Sequence, residues 1–152
     1  MDIGHCVVIA VLVLASLLGA PLHAQSQNAQ QVVAGYRTAR LAAMQASATA
    51  STVDSAVAFL SDSVIYEHPQ AGARIRGRSD MAQGMQSFLG AMRNVRINIV
   101  REIVLPDAVA AEEQLSFESQ RDGRWQAGSR SQLMLYEVRD GRITRLIEYW
   151  RR

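Results

Sequence analysis

The sequence contains one cysteine, no lysine and three histidines among its 152 residues. The single cysteine, Cys6, excludes an internal disulfide framework and a cysteine-rich zinc site. All 16 basic residues are arginine, and with 14 acidic residues they leave a formal net charge of +2. This small, dispersed excess lacks the concentrated basic face of a nucleic-acid-binding protein, so we expect no nucleic-acid partner. A composition of 49% hydrophobic and 20% charged residues is typical of one globular domain of this length.

Residues 7–20 form an almost wholly apolar run, VVIAVLVLASLLGA, which ends at Pro21. The run is shorter than the roughly 20 residues that a transmembrane helix needs, and its length is typical of a secretory signal. We therefore predict a signal peptide over residues 1–24 with cleavage after Ala24, a periplasmic or secreted location, and no membrane association afterwards. Because no lysine or arginine precedes the run, an uncleaved membrane anchor is the alternative.

The mature chain would keep no cysteine and a single histidine, His68. Cysteine nucleophiles, paired histidines and multi-histidine metal sites are then excluded. The sequence also has no glycine-rich phosphate loop or nucleophile elbow. We therefore expect no metal and no cofactor.

The mature chain is predicted to have a flexible polar leader over residues 25–31 and one domain over residues 32–152. Apolar periodicity predicts helices over 32–45, 53–60 and 80–92, and alternation predicts strands over 63–68, 96–105, 109–119, 125–138 and 142–150. Asp122-Gly123 and Asp140-Gly141 indicate hairpin turns. Helices followed by a strand meander favour an α+β fold.

Three segments resemble the nuclear transport factor 2-like superfamily, in particular its SnoaL-like and ketosteroid-isomerase-like members. They are the run from Phe59 to Pro69, Gly77-Arg78 ahead of the third helix, and the terminal hairpin from Asp140 to Trp150. The resemblance implies a curved antiparallel sheet wrapped around three helices, which together form a conical pocket. It also implies a small apolar ligand, such as a polyketide-like or steroid-like molecule.

The same resemblance implies a catalytic pair. His68 stands where the ketosteroid-isomerase-like branch has an aspartate base, and Tyr36 matches a tyrosine that donates to an oxyanion. Strand alternation places Tyr66 on the same face as His68. Candidate substrate-binding residues are Tyr66, Met85, Phe88, Gln132 and Trp150, although the methionine and the aromatic residues among them are also of types that pack a core.

The function predicted from these residues is cofactor-free isomerisation, cyclisation or dehydration with His68 as the general base. The alternative is a non-catalytic ligand-binding or dimeric interaction module of the same fold. Leu133-Met134-Leu135-Tyr136 is apolar at four consecutive strand positions, so both faces of the sheet are apolar there. A second copy of the chain is the simplest cover for the outer face, and we predict a homodimer.

Overall fold

A computed structural model describes residues 22–150, and gives only the backbone of residues 22–28. Most of the predicted signal peptide therefore lies outside the described residues. Within residues 22–150, no helix is long and apolar enough to cross a bilayer.

The described chain is an α+β domain, as predicted, with helices first and a long strand meander after them. A short 3₁₀ turn, Pro69–Ala71, separates the first two strands. The elements are α1 Leu22–Ala43, α2 Ala50–Val57, β1 Leu60–His68, β2 Ala73–Arg76, α3 Arg78–Gln86, β3 Met92–Val104, β4 Ala108–Arg121, β5 Arg124–Arg139 and β6 Arg142–Trp150.

The six strands form one sheet in the order β2-β1-β6-β5-β4-β3. All neighbours are antiparallel except β1 and β6, which run parallel, with Tyr66 opposite Leu146. The sheet is thus mixed, whereas the sequence predicted an antiparallel one. The last strand inserts between the first strand and the meander, and this places residues from both ends of the domain side by side.

All three helices differ from the predicted bounds. Helix α2 covers Ala50–Val57 rather than residues 53–60, because Leu60 already begins β1. Helix α1 starts at Leu22 and so contains residues 25–31, which were expected to be flexible. Ala29 is buried and Gln30 bonds to Glu102, so tertiary contacts extend the helix toward its start. Helix α3 ends at Gln86 rather than at residue 92, because Met92 already begins β3.

Helix α1 packs across the inner face of the sheet, where strand alternation buries one side chain in two. In β4, for example, Val109, Ala111 and Leu115 are buried on this face. A close approach fixes the position of α1: a Cβ atom added to Gly35 would lie 2.6 Å from Cε1 of Phe59. Glycine therefore allows α1 to sit close enough to present its next residue, Tyr36, to the interior.

Candidate active site

A cavity of about 220 Å³ lies between helices α1 and α3 and the inner face of the sheet. The sequence has six methionines, and every one after Met1 lines this cavity. The other apolar lining residues are Ala43, Ile75, Phe88 and Leu146. Methionine side chains are unbranched and adaptable, so this wall can adjust to ligands of different shape.

Four polar side chains complete the wall of the cavity, and they come from three elements. Tyr36 and Arg40 lie four residues apart on α1 and therefore share one helix face. Tyr66 comes from β1 and Glu148 from β6, the two strands that pair in parallel. An apolar cavity with a few convergent polar groups is the usual form of a small-molecule site.

Glu148 is a buried carboxylate held by three donors. Its Oε2 accepts a 2.8 Å hydrogen bond from the Tyr66 hydroxyl, and its Oε1 accepts one from the indole N–H of Trp150. Nη2 of Arg130 lies 3.5 Å from the same Oε1. A carboxylate has about four lone-pair positions, so one remains for a ligand.

The charge of Glu148 is set by two opposing effects. Burial raises the pKa of this carboxyl, but Arg40, the Trp150 and Tyr66 donors and Arg130 together hold it below the usual value of 4.5. Glu148 is therefore ionised at neutral pH. An ionised carboxylate facing an apolar cavity is equipped to remove a proton from a bound molecule.

Tyr36 and Arg40 supply hydrogen-bond donors to the same cavity. Burial raises the pKa of Tyr36, which keeps its hydroxyl protonated. Burial alone would lower the pKa of Arg40, but Tyr136, Tyr36 and the Glu148 and Glu113 carboxylates hold it above its usual value. Both groups can therefore donate to an oxygen that gains negative charge.

Behind Arg40, the carboxylate of Glu113 is completely buried yet fully bonded. It accepts hydrogen bonds from Arg37 at 3.0 Å, from Gln132 at 2.9 Å and from the Tyr136 hydroxyl at 2.8 Å. Nη1 of Arg40 lies 3.4 Å from Oε2 of Glu113, the oxygen that also accepts from Gln132. This network fixes the guanidinium of Arg40 from behind, and so orients the cationic part of the cavity wall.

Four of the residues predicted from the sequence, Tyr36, Tyr66, Met85 and Phe88, line the cavity. His68, Gln132 and Trp150 do not line the cavity. They lie on the same inner face of the sheet, past Glu148. Gln132 and Trp150 instead line a neighbouring cleft of about 350 Å³.

His68 is 4% exposed and packs against Trp150, with ring centroids 4.2 Å apart. Its Nδ1 accepts a 3.1 Å hydrogen bond from the backbone N–H of Ala71 and caps the 3₁₀ turn. A neutral imidazole whose Nδ1 accepts a hydrogen bond carries its proton on Nε2. In this arrangement neutral His68 is a donor, with no free lone pair for a proton.

A larger cleft of about 600 Å³ lies at the opposite end of the sheet, between the β3–β4 turn and the β5–β6 hairpin. Of its charged groups, Asp107, Arg139 and Asp140 are exposed at the surface, and Glu137, which pairs with Arg145, is partly exposed. The methionine-lined cavity is smaller, but it has buried polar groups with fixed partners. We therefore place the candidate site there.

Sequence reasoning missed Glu148, Arg40 and Glu113. Glu148 lies two residues after Leu146 on β6 and so shares its buried face. A carboxylate at an inward position of a strand was the signal that could have found it. Arg40 and Glu113 carry the same signal, because each occupies a buried position on its own element.

Comparison with known proteins agrees with this fold and cavity. Residues 38–146 match the family model of the SnoaL-like domain, and the chain belongs to that family. No curated protein matches the chain significantly.

Solved structures of low sequence identity share the fold. A proposed SnoaL-like polyketide cyclase from Shewanella putrefaciens CN-32 superimposes with a TM-score of 0.70 and 14% identity, over 91% of this chain and 92% of its own. An LEH-like epoxide hydrolase from M. tuberculosis superimposes with a TM-score of 0.64 and 24% identity, over 82% of this chain and 84% of its own. The third example is a protein of ketosteroid isomerase-like fold from Catenulispora acidiphila DSM 44928, in complex with trimethylamine. It superimposes with a TM-score of 0.61 and 16% identity, over 78% of this chain and 84% of its own.

Proposed function

We propose that this protein binds a small, mostly apolar molecule in the methionine-lined cavity and catalyses proton transfer on it without a cofactor. Isomerisation, cyclisation and dehydration are reactions of this kind. The observation that carries the proposal is the ionised carboxylate of Glu148 in an otherwise apolar wall, opposite donors that remain charged or protonated.

The reaction proposed begins when Glu148 removes a proton from a carbon next to a substrate carbonyl. The electron pair moves onto the carbonyl oxygen, where Tyr36 and Arg40 donate hydrogen bonds to the oxyanion. Glu148 then returns the proton to another carbon, which moves the double bond and regenerates the carboxylate. A carboxylate can serve as the base in such a reaction when oxyanion donors stabilise the enolate.

The sequence-based proposal of His68 as the base remains the competing assignment. It requires Nε2 to lose its proton or the ring to release the Ala71 amide, since Nδ1 already accepts that hydrogen bond. Glu148 requires neither change, so we favour it. With Glu148 as the base, His68 is a neighbour of the site. It packs against Trp150, whose indole N–H donates to Glu148.

Isomerisation of cyclohex-3-en-1-one to the conjugated cyclohex-2-en-1-one tests the proposal with a substrate small enough for the cavity. The absorbance of the conjugated enone reports turnover. Glu148→Gln should lower the rate about 10²- to 10⁴-fold, the usual cost of losing a general base. The matched control is Glu118→Gln, an acid paired with Arg93 near the far hairpin, which should leave the rate unchanged.

Cyclohexene oxide is a second test substrate, because one structural neighbour is named as an epoxide hydrolase. Addition of water would give cyclohexane-1,2-diol, which gas chromatography measures. If Glu148→Gln keeps full activity on both substrates while His68→Ala abolishes it, the histidine assignment is right and the Glu148 assignment is wrong.

A non-catalytic binding protein is the second candidate, and the methionine lining favours it, because adaptable thioethers are typical of promiscuous binding surfaces. Calorimetry with cyclohexanone separates the two candidates. Binding in the absence of any turnover, α-proton exchange in D₂O included, would support the binding protein.

We also propose that the protein is exported and forms a homodimer through the outer face of the sheet. The cross-strand register aligns an apolar row on that face, from Ile103 through Ala110 and Leu135 to Ile147. Leu133 lies beside this row and is 49% exposed. Ion pairs from Arg145 to Glu67 and Glu137 border the row, as polar groups commonly rim a buried patch.

A further inference from the structure

Trp150 lies in a stack on the inner face of the sheet. The guanidinium carbon of Arg130 is 4.1 Å from the centroid of its ring, and His68 packs against it at 4.2 Å. Its indole N–H bonds to Glu148, its backbone N–H bonds to Oε1 of Gln70, and the residue is still 38% exposed. Trp150 thus separates the catalytic carboxylate from solvent at the end of the last strand.

Three buried polar atoms around this ring have no hydrogen-bond partner within residues 29–150. They are Nε2 of His68, Nε of Arg130 and Oε1 of Gln132. Gln132 is 1% exposed and lies opposite Trp150 in the β5–β6 register. An indole ring has no acceptor atom for the two N–H groups and no second donor for the amide oxygen. Buried polar atoms are rarely left unpaired, so this grouping calls for a partner.

We propose that Trp150 is a movable cover over a polar subsite formed by His68, Arg130 and Gln132, which binds the polar end of the ligand. The proposal rests on the small-molecule pocket proposed above and extends it past Glu148. When the indole moves outward, a ligand with its apolar body among the methionines reaches the three unpartnered atoms. In this assignment His68 is a binding residue that donates from Nε2.

The chemistry of the subsite defines the ligand class. Two N–H donors and one carbonyl acceptor fit a group that both accepts and donates, such as a hydroxyl or a primary amide. A neutral group matches the subsite, because the charges of Glu148 and Arg130 offset each other there. The subsite therefore selects neutral alcohols and amides over carboxylic acids and ethers.

A pair of isomeric probes tests this selection. Hexan-1-ol and 1-methoxypentane have the same atoms, but only the alcohol can donate to Gln132. Calorimetry on the mature chain should show hexan-1-ol binding about two- to tenfold more tightly, the usual net value of one added hydrogen bond. His68→Phe keeps an aromatic ring against Trp150 and should weaken the binding of both isomers, whereas His68→Gln, which restores an N–H donor, should recover it.

Movement of the cover is read from tryptophan fluorescence, because the sequence has only two tryptophans. In Trp125→Phe, hexan-1-ol should shift the emission of Trp150 to longer wavelength as the indole enters water. In Trp150→Phe, the remaining Trp125 is a matched control, since it lies under Arg93 at 4.4 Å and should not respond.

Equal affinities for the two isomers, or a Trp150 emission that stays unchanged when calorimetry shows saturation, would overturn the subsite. Failure of the proposed reaction is a separate outcome: a Trp150 response without turnover keeps the subsite and removes the enzyme. Turnover without a change in Trp150 emission would support the proposed reaction and refute the proposed subsite.

Discussion

The hydroxyl of Tyr66 donates a 2.8 Å hydrogen bond to Oε2 of Glu148, across the parallel pair β1 and β6. Burial is the main cause that raises the pKa of Tyr66, and the adjacent carboxylate raises it further. The hydroxyl therefore stays protonated while the carboxyl stays ionised. Each residue stabilises the state that the other needs, and the pair lies in the wall of the candidate active site.

The pH dependence of turnover should report this pair. Because the pKa of Glu148 lies below 4.5, the active carboxylate is present above that pH and is lost as the pH falls through its pKa. We expect kcat/KM for cyclohex-3-en-1-one to be flat between pH 5 and 8. Tyr66→Phe removes one donor to the charged form, so its acidic limb should move to higher pH.

A measured acidic limb near pH 6.5 in the unmodified protein would instead indicate an imidazole base, since histidine ordinarily titrates there. Far-ultraviolet circular dichroism at each pH is the control, because it separates protonation of the site from unfolding of the domain.

Glu113→Ala should strongly destabilise the domain. The substitution leaves Arg37 and Arg40 without their buried carboxylate, and breaking a buried ion pair typically costs about 3–5 kcal/mol. Urea unfolding measures the change in the free energy of unfolding. Glu118→Ala, which removes a partly exposed ion pair with Arg93, should cost about 1 kcal/mol or less. Equal losses in the two variants would contradict the role given to the Glu113 network.

Leu133→Asp should convert the proposed dimer to a monomer. A charge placed on the apolar outer row is costly to bury without a partner. Light scattering at micromolar concentration measures the mass, and Val100→Asp is the control, since Val100 is similarly exposed at 55% but lies at the register shift of β3, outside the row. A monomer before any substitution would refute the dimer.

Export should yield a chain that begins at Gln25. Intact-mass analysis of protein recovered from the producing cell distinguishes residues 25–152 from the full-length chain. The expected cause is recognition of the short apolar run that ends at Pro21. Full-length protein retained in the membrane fraction would establish the anchor alternative instead.

Local signals in the sequence predicted much of the fold. Asp122 and Asp140 both have positive φ ahead of a glycine, at 51° each, as expected of the two predicted hairpin turns. The parallel pairing of β1 with β6 could not be predicted in this way, because side-chain alternation identifies the buried face of a strand but not its neighbour. The early start of α1 depends on its contact with Glu102, which is distant in the sequence.

The site was predicted only in part for a related reason. Tyr36 was found because its position matches a family pattern, and Tyr66 because strand alternation puts it on the face of His68. Glu148 was missed because no local motif marks it. Which ring nitrogen of neutral His68 carries the proton depends on a hydrogen bond from the backbone N–H of Ala71. Residue type alone does not reveal such a bond. Long-range contacts, more than local propensity, determine which polar groups face the cavity.

The place of β6 in the sheet has a consequence for biosynthesis. It lies between β1 and β5, so β1 and β2 gain their link to the meander only after the last described residues leave the ribosome. Glu148 and Trp150 are among these residues, so the cavity cannot close on a growing chain. Because the closing contacts are distant in sequence, this step is expected to be slow. The domain therefore stays open until β6 has been synthesised, and an open chain is the form that the proposed export would require.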